Sequence, residues 1–125
     1  MPEITTAAEI TDLRSALAFL ASVPGQLVST REPVDPVAEL AGVYKRVGAG
    51  TPVAPPTRIG PAMLFENVKG YSIPVVVGVL ASRLRTALLL NSSIDRLPFD
   101  LLEALNHPCP PVVVKGADAP CQEVV

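Results

Sequence analysis

Residues 62–90 place the narrowest limits on what this chain can fold into, because their pattern changes several times over a short distance. The stretch begins with a short apolar run, passes through a turn-forming segment that ends in Gly70, and continues as nearly uninterrupted valine and leucine. Such an uninterrupted run is typical of a strand covered on both faces. Ser82 then stands at the capping position before a helical pattern. The stretch predicts a strand, a tight turn, a buried strand and a helix, over residues 63–65, 67–70, 74–80 and 83–90.

A first helix is predicted near the start of the chain. Leucine residues recur at helical spacing over residues 12–22, with small residues between them. Thr11 can accept a hydrogen bond from the first unpaired amides of this helix, and Thr6 with Glu9 forms an alternative, earlier capping box. A strand over residues 26–31 follows, because its side chains alternate between two faces.

A second helix is predicted to begin at Asp35 and Pro36. Aspartate accepts hydrogen bonds from unpaired amides, and proline in the first helical position already has the required φ. Gly48 and Gly50 are predicted to end this helix. Residues 51–61, rich in proline, are predicted to form a stiff surface connector, with a ligand for a proline-recognition domain as the alternative.

The C-terminal third is predicted to add a short helix and two strands. Pro98 lies near the first turn of a helix over residues 98–106, and residues 112–114 and 121–125 have strand character. Together the patterns predict an α+β fold, a single small domain with a mixed β-sheet flanked by about four helices. The inward-facing residues of the last helix are predicted to be Leu101, Leu102 and Leu105.

The composition excludes several classes of function. The net charge is −2 with no basic tract, and aromatic residues make up 4% of the chain, which argues against a nucleic-acid-binding protein. No apolar run is long enough to span a bilayer, and no basic segment precedes the first apolar run, which favours the cytoplasm. Hydrophobic residues make up 49% and charged residues 18%, so the chain has either a well-filled core or an apolar surface that meets another domain.

The sequence contains no convincing catalytic or metal-binding motif. His107, Cys109 and Cys121 supply three possible zinc ligands, but their spacing fits no zinc motif, and a Cys–His catalytic pair lacks an orienting acid. We expect His107 to lie at a helix C-terminus. The two cysteines are expected to be reduced thiols in the cytoplasm, with a disulfide between them as the alternative.

Two small groups of polar residues remain as candidates for contact with another molecule. Glu66 is a carboxylate at the end of an apolar strand, where it can be an acid with a perturbed pKa, pair with Lys69 or a nearby arginine, or cap the turn. Arg83 and Arg85 are two residues apart on a predicted helix and must therefore point to different faces. Because cations near a helix N-terminus oppose its dipole, they need a compensating partner such as an anion or another domain.

Several segments, in order, resemble the N-terminal region of the UbiD family of reversible decarboxylases. The most specific is the Phe-Glu-Asn-Val-Lys-Gly turn at residues 65–70, which is followed in the same order by the Ser-Arg-x-Arg pattern at residues 82–85. Residues 119–125 resemble the junction with the family's flavin-binding domain. Weaker matches lie in residues 11–14 and 32–36.

The resemblance implies that residues 1–125 are a UbiD-like N-terminal domain, with the flavin-binding and C-terminal domains absent from this chain. UbiD-like enzymes use prenylated flavin mononucleotide (prFMN), with a divalent metal such as manganese and often potassium, to decarboxylate aromatic, heteroaromatic or α,β-unsaturated carboxylic acids. No catalytic, cofactor-binding or metal-binding residue is carried over to this chain. It would instead contribute to domain closure and subunit contacts. The candidate interface residues are Glu66, Asn67, Lys69, Arg83 and Arg85.

This interpretation makes the remainder of the decarboxylase, or a catalytic subunit, the expected partner, and a homo-oligomer the expected assembly. The alternatives are a non-catalytic small subunit or interaction module derived from the family, and an unrelated small α+β binding domain. We expect the chain alone to be catalytically inactive. Because unpaired strand edges promote association, we also expect it to self-associate through residues 112–114 and 121–125.

Overall fold

The computed structural model describes residues 10–49 and 60–116. These ranges contain four helices and one three-stranded sheet, which confirms the predicted small α+β fold with a mixed sheet. No helix within them is long and apolar enough to cross a membrane. The elements in chain order are α1 (Leu13–Ser22), β1 (Leu27–Thr30), α2 (Glu39–Ala49), β2 (Ala62–Phe65), β3 (Val75–Val77), α3 (Arg83–Leu89) and α4 (Leu97–Asn106).

The sheet has the order β1-β2-β3 and mixes both kinds of pairing. β1 and β2 are parallel, with Leu27 opposite Ala62 and Thr30 opposite Phe65, so the chain must cross back through α2 between them. β2 and β3 are antiparallel, with Phe65 opposite Val75, and a turn joins them directly. An isolated bridge between Val34 and Val68 continues the parallel pairing beyond the strands.

The main core lies where α2 covers the sheet. Val34, Met63, Phe65 and Val68 are buried together, and Leu40 and Tyr44 of α2 and Val75 and Val77 of β3 pack against them. Helix α1 packs beside β1 and buries Ala16, Phe19 and Leu20. Burial of such side chains is the dominant favourable term in folding, so these two clusters hold the domain together.

The third strand is shorter and more open than its sequence predicts. β3 includes only Val75–Val77, all half-buried, and within the described residues it pairs with β2 alone. Gly78 follows with a φ of 80°, which ends the strand, and Leu80 is exposed. The prediction of a strand covered on both faces was therefore wrong. An apolar run by itself does not distinguish a central strand of a sheet from an edge strand.

The predicted start of the second helix was also wrong, whereas its end falls between the two predicted glycines. Ala38 has a φ of 66°, which lies outside the helical region, so α2 begins at Glu39. Asp35 stabilises the preceding turn instead: its Oδ1 accepts from the Val37 amide at 2.8 Å, and its own amide donates to Glu39 Oε2 at 2.6 Å. Gly48 lies within α2, which continues to Ala49. Gly50 and residues 51–59 lie outside the described residues.

The cap of α1 is Asp12, one residue after the predicted Thr11. Its Oδ1 accepts from the Ser15 amide at 2.7 Å, and Ser15 Oγ accepts from the Asp12 amide at 3.0 Å, which together form a capping box. The hydrogen bond from the Ser15 amide lowers the pKa of Asp12 below its ordinary value of 3.8, and the Ser15 hydroxyl lowers it further. The alternative capping residues Thr6 and Glu9 lie outside the described residues.

The Asp12→Ala change is expected to lower the thermal midpoint at neutral pH, because it removes a hydrogen-bonded cap. Since the pKa of Asp12 is lower in the folded state, its contribution to stability is fully present above pH 3.8. This contribution is lost as the pH falls through the folded-state pKa. The difference between wild type and variant should therefore narrow in increasingly acidic buffers. Asp12→Asn is the control, because it keeps a capping oxygen that does not titrate in this range. A difference that stays constant with pH would contradict this prediction.

The last helix forms as predicted, but the prediction of its inward-facing residues was wrong. A proline lies in the first turn of α4, and Leu97 is its one buried residue among those described. Leu101, Leu102 and Leu105, predicted to face inward, are 48%, 57% and 78% exposed. Leucine periodicity predicts that a helix has an apolar face but does not show which molecule covers that face.

The predicted strand over residues 112–114 was wrong as well. These valines have no regular secondary structure and are exposed. The predicted strand over residues 121–125 lies outside the described residues, so the predicted self-association through both segments stays a prediction.

Candidate domain interface

The turn after β2 is fixed against the segment that leads into α2. The Val34 amide donates to the Asn67 carbonyl at 3.1 Å, and the Lys69 amide donates to the Val34 carbonyl at 3.0 Å. Val34 and Val68 are both buried beneath this pairing. Gly70 ends the turn with a φ of 83°, a conformation that favours glycine. Residues 66–70 therefore present their polar side chains from a rigid frame.

Two ion pairs join the same two segments at the surface. Arg31 Nε lies 3.1 Å from Glu66 Oε2, and Lys69 Nζ lies 3.7 Å from Glu39 Oε2. Asn67 Nδ2 donates to the Arg31 carbonyl at 3.4 Å. Of the alternatives predicted for Glu66, the nearby arginine is the one observed. Exposed pairs of this kind contribute little to stability. Their side chains can therefore exchange partners at little cost and form contacts with another surface.

An apolar depression of about 240 Å³ lies beside these charges, and we call it the Tyr71 patch. Tyr71 and Ile73 are mostly exposed although they are large and apolar. Lys69, which follows the lining residue Val68 directly in the chain, pairs with Glu39 at 3.7 Å. An apolar centre with a polar rim is the usual anatomy of a protein interface, and tyrosine is enriched at its strongest contacts. The residues lining the patch are Pro36, Val68, Tyr71, Ile73 and Val75.

Sequence reasoning found the polar rim of this surface but missed its apolar centre. Glu66, Asn67 and Lys69 were predicted from the turn motif, and the structure places all three beside the patch or within the turn that supports it. Tyr71 and Ile73 fall between a turn and a strand, where apolar residues are normally assigned to the core. Their position between Gly70 and Pro74 was the available signal, because residues in a connecting segment are usually at the surface.

The two arginines of α3 have opposite environments, as their spacing predicted. Arg83 is exposed at the first position of the helix. Arg85 is fully buried, and its guanidinium donates to groups of this chain itself. Burial lowers the pKa of Arg85 from its ordinary value, and the nearby Tyr44 partly opposes this effect. Its acceptors are the carbonyls of Gly78 (3.1 and 2.7 Å), Val79 (3.0 Å) and Gly60 (3.1 Å), and Gln26 Oε1 (3.4 Å).

Arg85 therefore joins three separate parts of the domain: the connection after β3, the entry to β2 and the residue before β1. A side chain enclosed in this way organises the interior. Of the five candidate interface residues, Glu66, Asn67, Lys69 and Arg83 are the ones at the surface.

The remaining candidates for chemistry do not converge on a site. His107 forms the C-cap of α4, where its amide donates to the Glu103 carbonyl at 3.0 Å, as expected for a residue at a helix C-terminus. Cys109 is a free, exposed cysteine, and Cys121 lies outside the described residues. Within residues 10–49 and 60–116, no group of three or more His, Cys, Asp and Glu side chains could hold a metal ion.

The sequence matches the family of the 3-octaprenyl-4-hydroxybenzoate carboxy-lyase N-terminal domain, the UbiD N-terminal domain, over residues 21–105. This range extends from the end of α1 to the last turn of α4 and includes the Tyr71 patch and both arginines. Among curated proteins, gallate decarboxylase of Lactiplantibacillus plantarum is 43% identical over 115 residues, a match covering 91% of this chain and 24% of the relative.

Two solved structures show the same fold at high identity. The apo 3,4-dihydroxybenzoic acid decarboxylase of Klebsiella pneumoniae matches with a TM-score of 0.77 and 51% identity, over 92% of this chain and 24% of that one. The second structure is an evolved dimeric form of the UbiD-class enzyme HmfF from Pelotomaculum thermopropionicum, in complex with prFMN. It matches with a TM-score of 0.68 and 33% identity, over 89% of this chain and 23% of that one. This chain thus spans about a quarter of the length of the proteins that it matches.

Proposed function

This chain belongs to the UbiD family of carboxy-lyases, and from that premise we propose that it is the N-terminal domain of a decarboxylase acting on an aromatic carboxylic acid. The observation that carries the proposal is the 51% identity with 3,4-dihydroxybenzoic acid decarboxylase, over 92% of this chain and about a quarter of that one. In this proposal residues 1–125 are the N-terminal domain, and the flavin-binding and C-terminal domains are outside this chain.

We infer that the substrate is a benzoic acid with ring hydroxyl groups. Gallate and 3,4-dihydroxybenzoate are the acids named for the relatives at 43% and 51% identity, whereas HmfF is 33% identical. The wider family range, with heteroaromatic and α,β-unsaturated acids, receives less support from these identities. The residues that would select the substrate belong to the rest of the enzyme in this proposal.

The cofactor proposed for the whole enzyme is prFMN with manganese and potassium. It supplies the electron sink for loss of carbon dioxide when it is bound. The described residues of this chain do not fit it, because the one buried cation, Arg85, already donates to four groups of its own domain. No buried side-chain nitrogen or oxygen among them lacks a hydrogen-bond partner. We therefore derive no cofactor contact from this chain.

The role we propose for this domain is to contribute to closure of the active site and to contacts between subunits. The Tyr71 patch and its polar rim support this role, because a mostly exposed tyrosine and isoleucine beside paired charges match the anatomy of a reversible interface. Glu66, Asn67 and Lys69 are the proposed polar contacts of this surface, and Arg83, at the start of α3, is a further proposed contact. A buried active site that excludes water strengthens electrostatic interactions with the reacting acid, which is the benefit of closure.

The proposal is tested with a chimera in which this chain replaces the matched N-terminal segment of the Klebsiella pneumoniae decarboxylase. Loaded with prFMN, manganese and potassium, the chimera is expected to consume 3,4-dihydroxybenzoate, with the unaltered enzyme as the control. This chain alone is expected to retain no flavin through gel filtration and to show no decarboxylation. Stoichiometric flavin retention by this chain alone, or a folded and flavin-loaded chimera without activity, would contradict the proposal.

A further inference from the structure

The last helix presents an apolar surface that the rest of the described chain leaves open. Phe99, Leu101, Leu102 and Leu105, which we call the α4 face, are 69%, 48%, 57% and 78% exposed. Single exposed apolar residues are common, but four on one helix are not scattered residues. The α4 face therefore requires a covering partner.

These four side chains form one continuous band along the helix. At about 100° per residue they fall within an arc of roughly 160°, with Asp100 on the opposite side and Glu103, four residues after Phe99, beside one edge of the arc. Val112 and Val113 follow shortly after the helix and are 88% and 93% exposed, so further apolar surface continues beyond the band. Glu103, which is exposed and lies 3.3 Å from His107, therefore borders the α4 face on the side of Phe99.

The orientation of α4 is set by its first turn. Leu97 is buried, Asp100 accepts a hydrogen bond from the Ser92 hydroxyl, and Arg96 Nη2 lies 3.0 Å from Asp100 Oδ1. The Ser92 hydroxyl lowers the pKa of Asp100 from its ordinary value, and Arg96 adds to this effect. Asp100 therefore remains ionised and anchors the polar side of the helix to the domain. This anchoring directs the α4 face outward.

We propose that the α4 face is the permanent docking site for the rest of the decarboxylase polypeptide, the part that follows this domain. The inference rests on the proposed function and goes beyond it by naming the surface. The family match ends at residue 105 within α4, and the relatives are about four times as long as this chain. A helix at the end of the matched region is the element nearest in sequence to the part that follows.

The chemistry of the α4 face favours a permanent partner over a transient one. Permanent interfaces resemble a divided core and are more apolar than transient ones. The α4 face has four exposed apolar side chains with Glu103 at one edge, while the Tyr71 patch has two, Tyr71 and Ile73. The two surfaces are thus suited to different tasks, with α4 holding the domains together and the Tyr71 patch serving closure.

The docking is tested in the same chimera, with a site for a specific protease placed after Val125. After cleavage, the two pieces of the wild-type chimera are expected to co-elute in gel filtration. In the double variant Leu102→Asp with Leu105→Asp, the fraction of the N-terminal piece that co-elutes is expected to fall at least about tenfold. The reason is that an unpaired charge is costly to bury at the centre of an interface. Leu80→Asp is the matched control, because Leu80 is also an exposed leucine, at 71%, but belongs to the connection between β3 and α3.

The isolated chain carrying the α4 double variant should keep the circular dichroism spectrum and thermal midpoint of the wild type, since both leucines are largely exposed. This control separates loss of docking from loss of folding. Separation of the wild-type pieces, or equal co-elution of the α4 variant, would overturn the inference.

Light scattering can show whether the isolated chain is a dimer. If it is, and if the α4 double variant makes it a monomer while the cleaved chimera carrying that variant still co-elutes, the α4 face belongs to a contact with a second copy. That result would also overturn the inference. Decarboxylation by the uncleaved chimera is a separate readout, so an active wild-type chimera whose pieces separate contradicts only the docking site. An inactive chimera whose pieces co-elute contradicts only the proposed function.

Discussion

Replacing Arg85 with methionine is expected to lower the free energy of unfolding by about 3 kcal/mol, because it removes the guanidinium donor from three partly buried carbonyls, of which that of Gly78 keeps the Ala81 amide as a donor. The guanidinium donates to the carbonyls of Gly78, Val79 and Gly60, and methionine fills a similar volume without donating to any of them. Relief from burying a charge offsets only part of this loss, since the charge is compensated by these hydrogen bonds. Urea unfolding of the 125-residue chain, followed by circular dichroism, measures the effect.

Arg83→Met is the matched control for this experiment. It makes the same change two residues earlier on the same helix, but Arg83 is exposed. We expect it to change the free energy of unfolding by less than about 0.5 kcal/mol, as for most surface substitutions. Equal effects of the two substitutions would show that Arg85 does not organise the interior. Arg85→Lys is expected to be intermediate, because an ammonium group cannot reproduce the planar, forked geometry of the guanidinium.

The Gly78→Ala change is expected to destabilise the domain by about 3 kcal/mol, as the sum of a backbone and a packing effect. Gly78 has a φ of 80°, which residues with a Cβ adopt only with strain. A Cβ at this position would also overlap the phenol of Tyr44, lying 2.6 Å from Cζ and 2.8 Å from Cε2. Since Tyr44 packs on the core cluster, its ring can move away only by losing that contact. Urea unfolding again provides the measurement.

Gly25 allows the two effects to be separated. Its φ is 76°, but a Cβ there would meet no atom within 4 Å, so Gly25→Ala reports the backbone strain alone, about 1 kcal/mol. Adding Tyr44→Ala to Gly78→Ala should remove the overlap, which makes the double variant less destabilised than the sum of the single ones. If Gly78→Ala and Gly25→Ala have equal effects, the proposed contact with Tyr44 does not limit this position.

Local hydrogen bonding explains which elements could be predicted from residue patterns. Ser82 was predicted as the cap of α3, and its Oγ accepts from the Arg85 amide three residues ahead. The proline near the start of α4 and the turn that ends at Gly70 were likewise predicted correctly. Such signals act within three or four residues, so they need no knowledge of what the chain meets elsewhere.

The same reasoning explains the local errors. Asp35 and Pro36 form a convincing helix start, yet the left-handed Ala38 delays α2 to Glu39. This delay lets Glu39 reach both the Asp35 amide and Lys69, which comes from a turn far away in sequence. The capping pattern at Asp35 and Pro36 therefore did not predict this boundary, because it does not show that Ala38 leaves the helical region.

The sequence by itself determined the family, the type and order of the helices and strands over residues 13–106, and the polar residues of the candidate interface, because each depends on residues close together in the chain. Only the tertiary structure decided that Arg85 is enclosed and Arg83 is not, that Tyr44 lies against Gly78, and that Tyr71 and the α4 face remain uncovered. The physical reason is that a capping bond is made within one turn of the chain, whereas burial depends on which distant segment, or which other molecule, comes to cover a side chain.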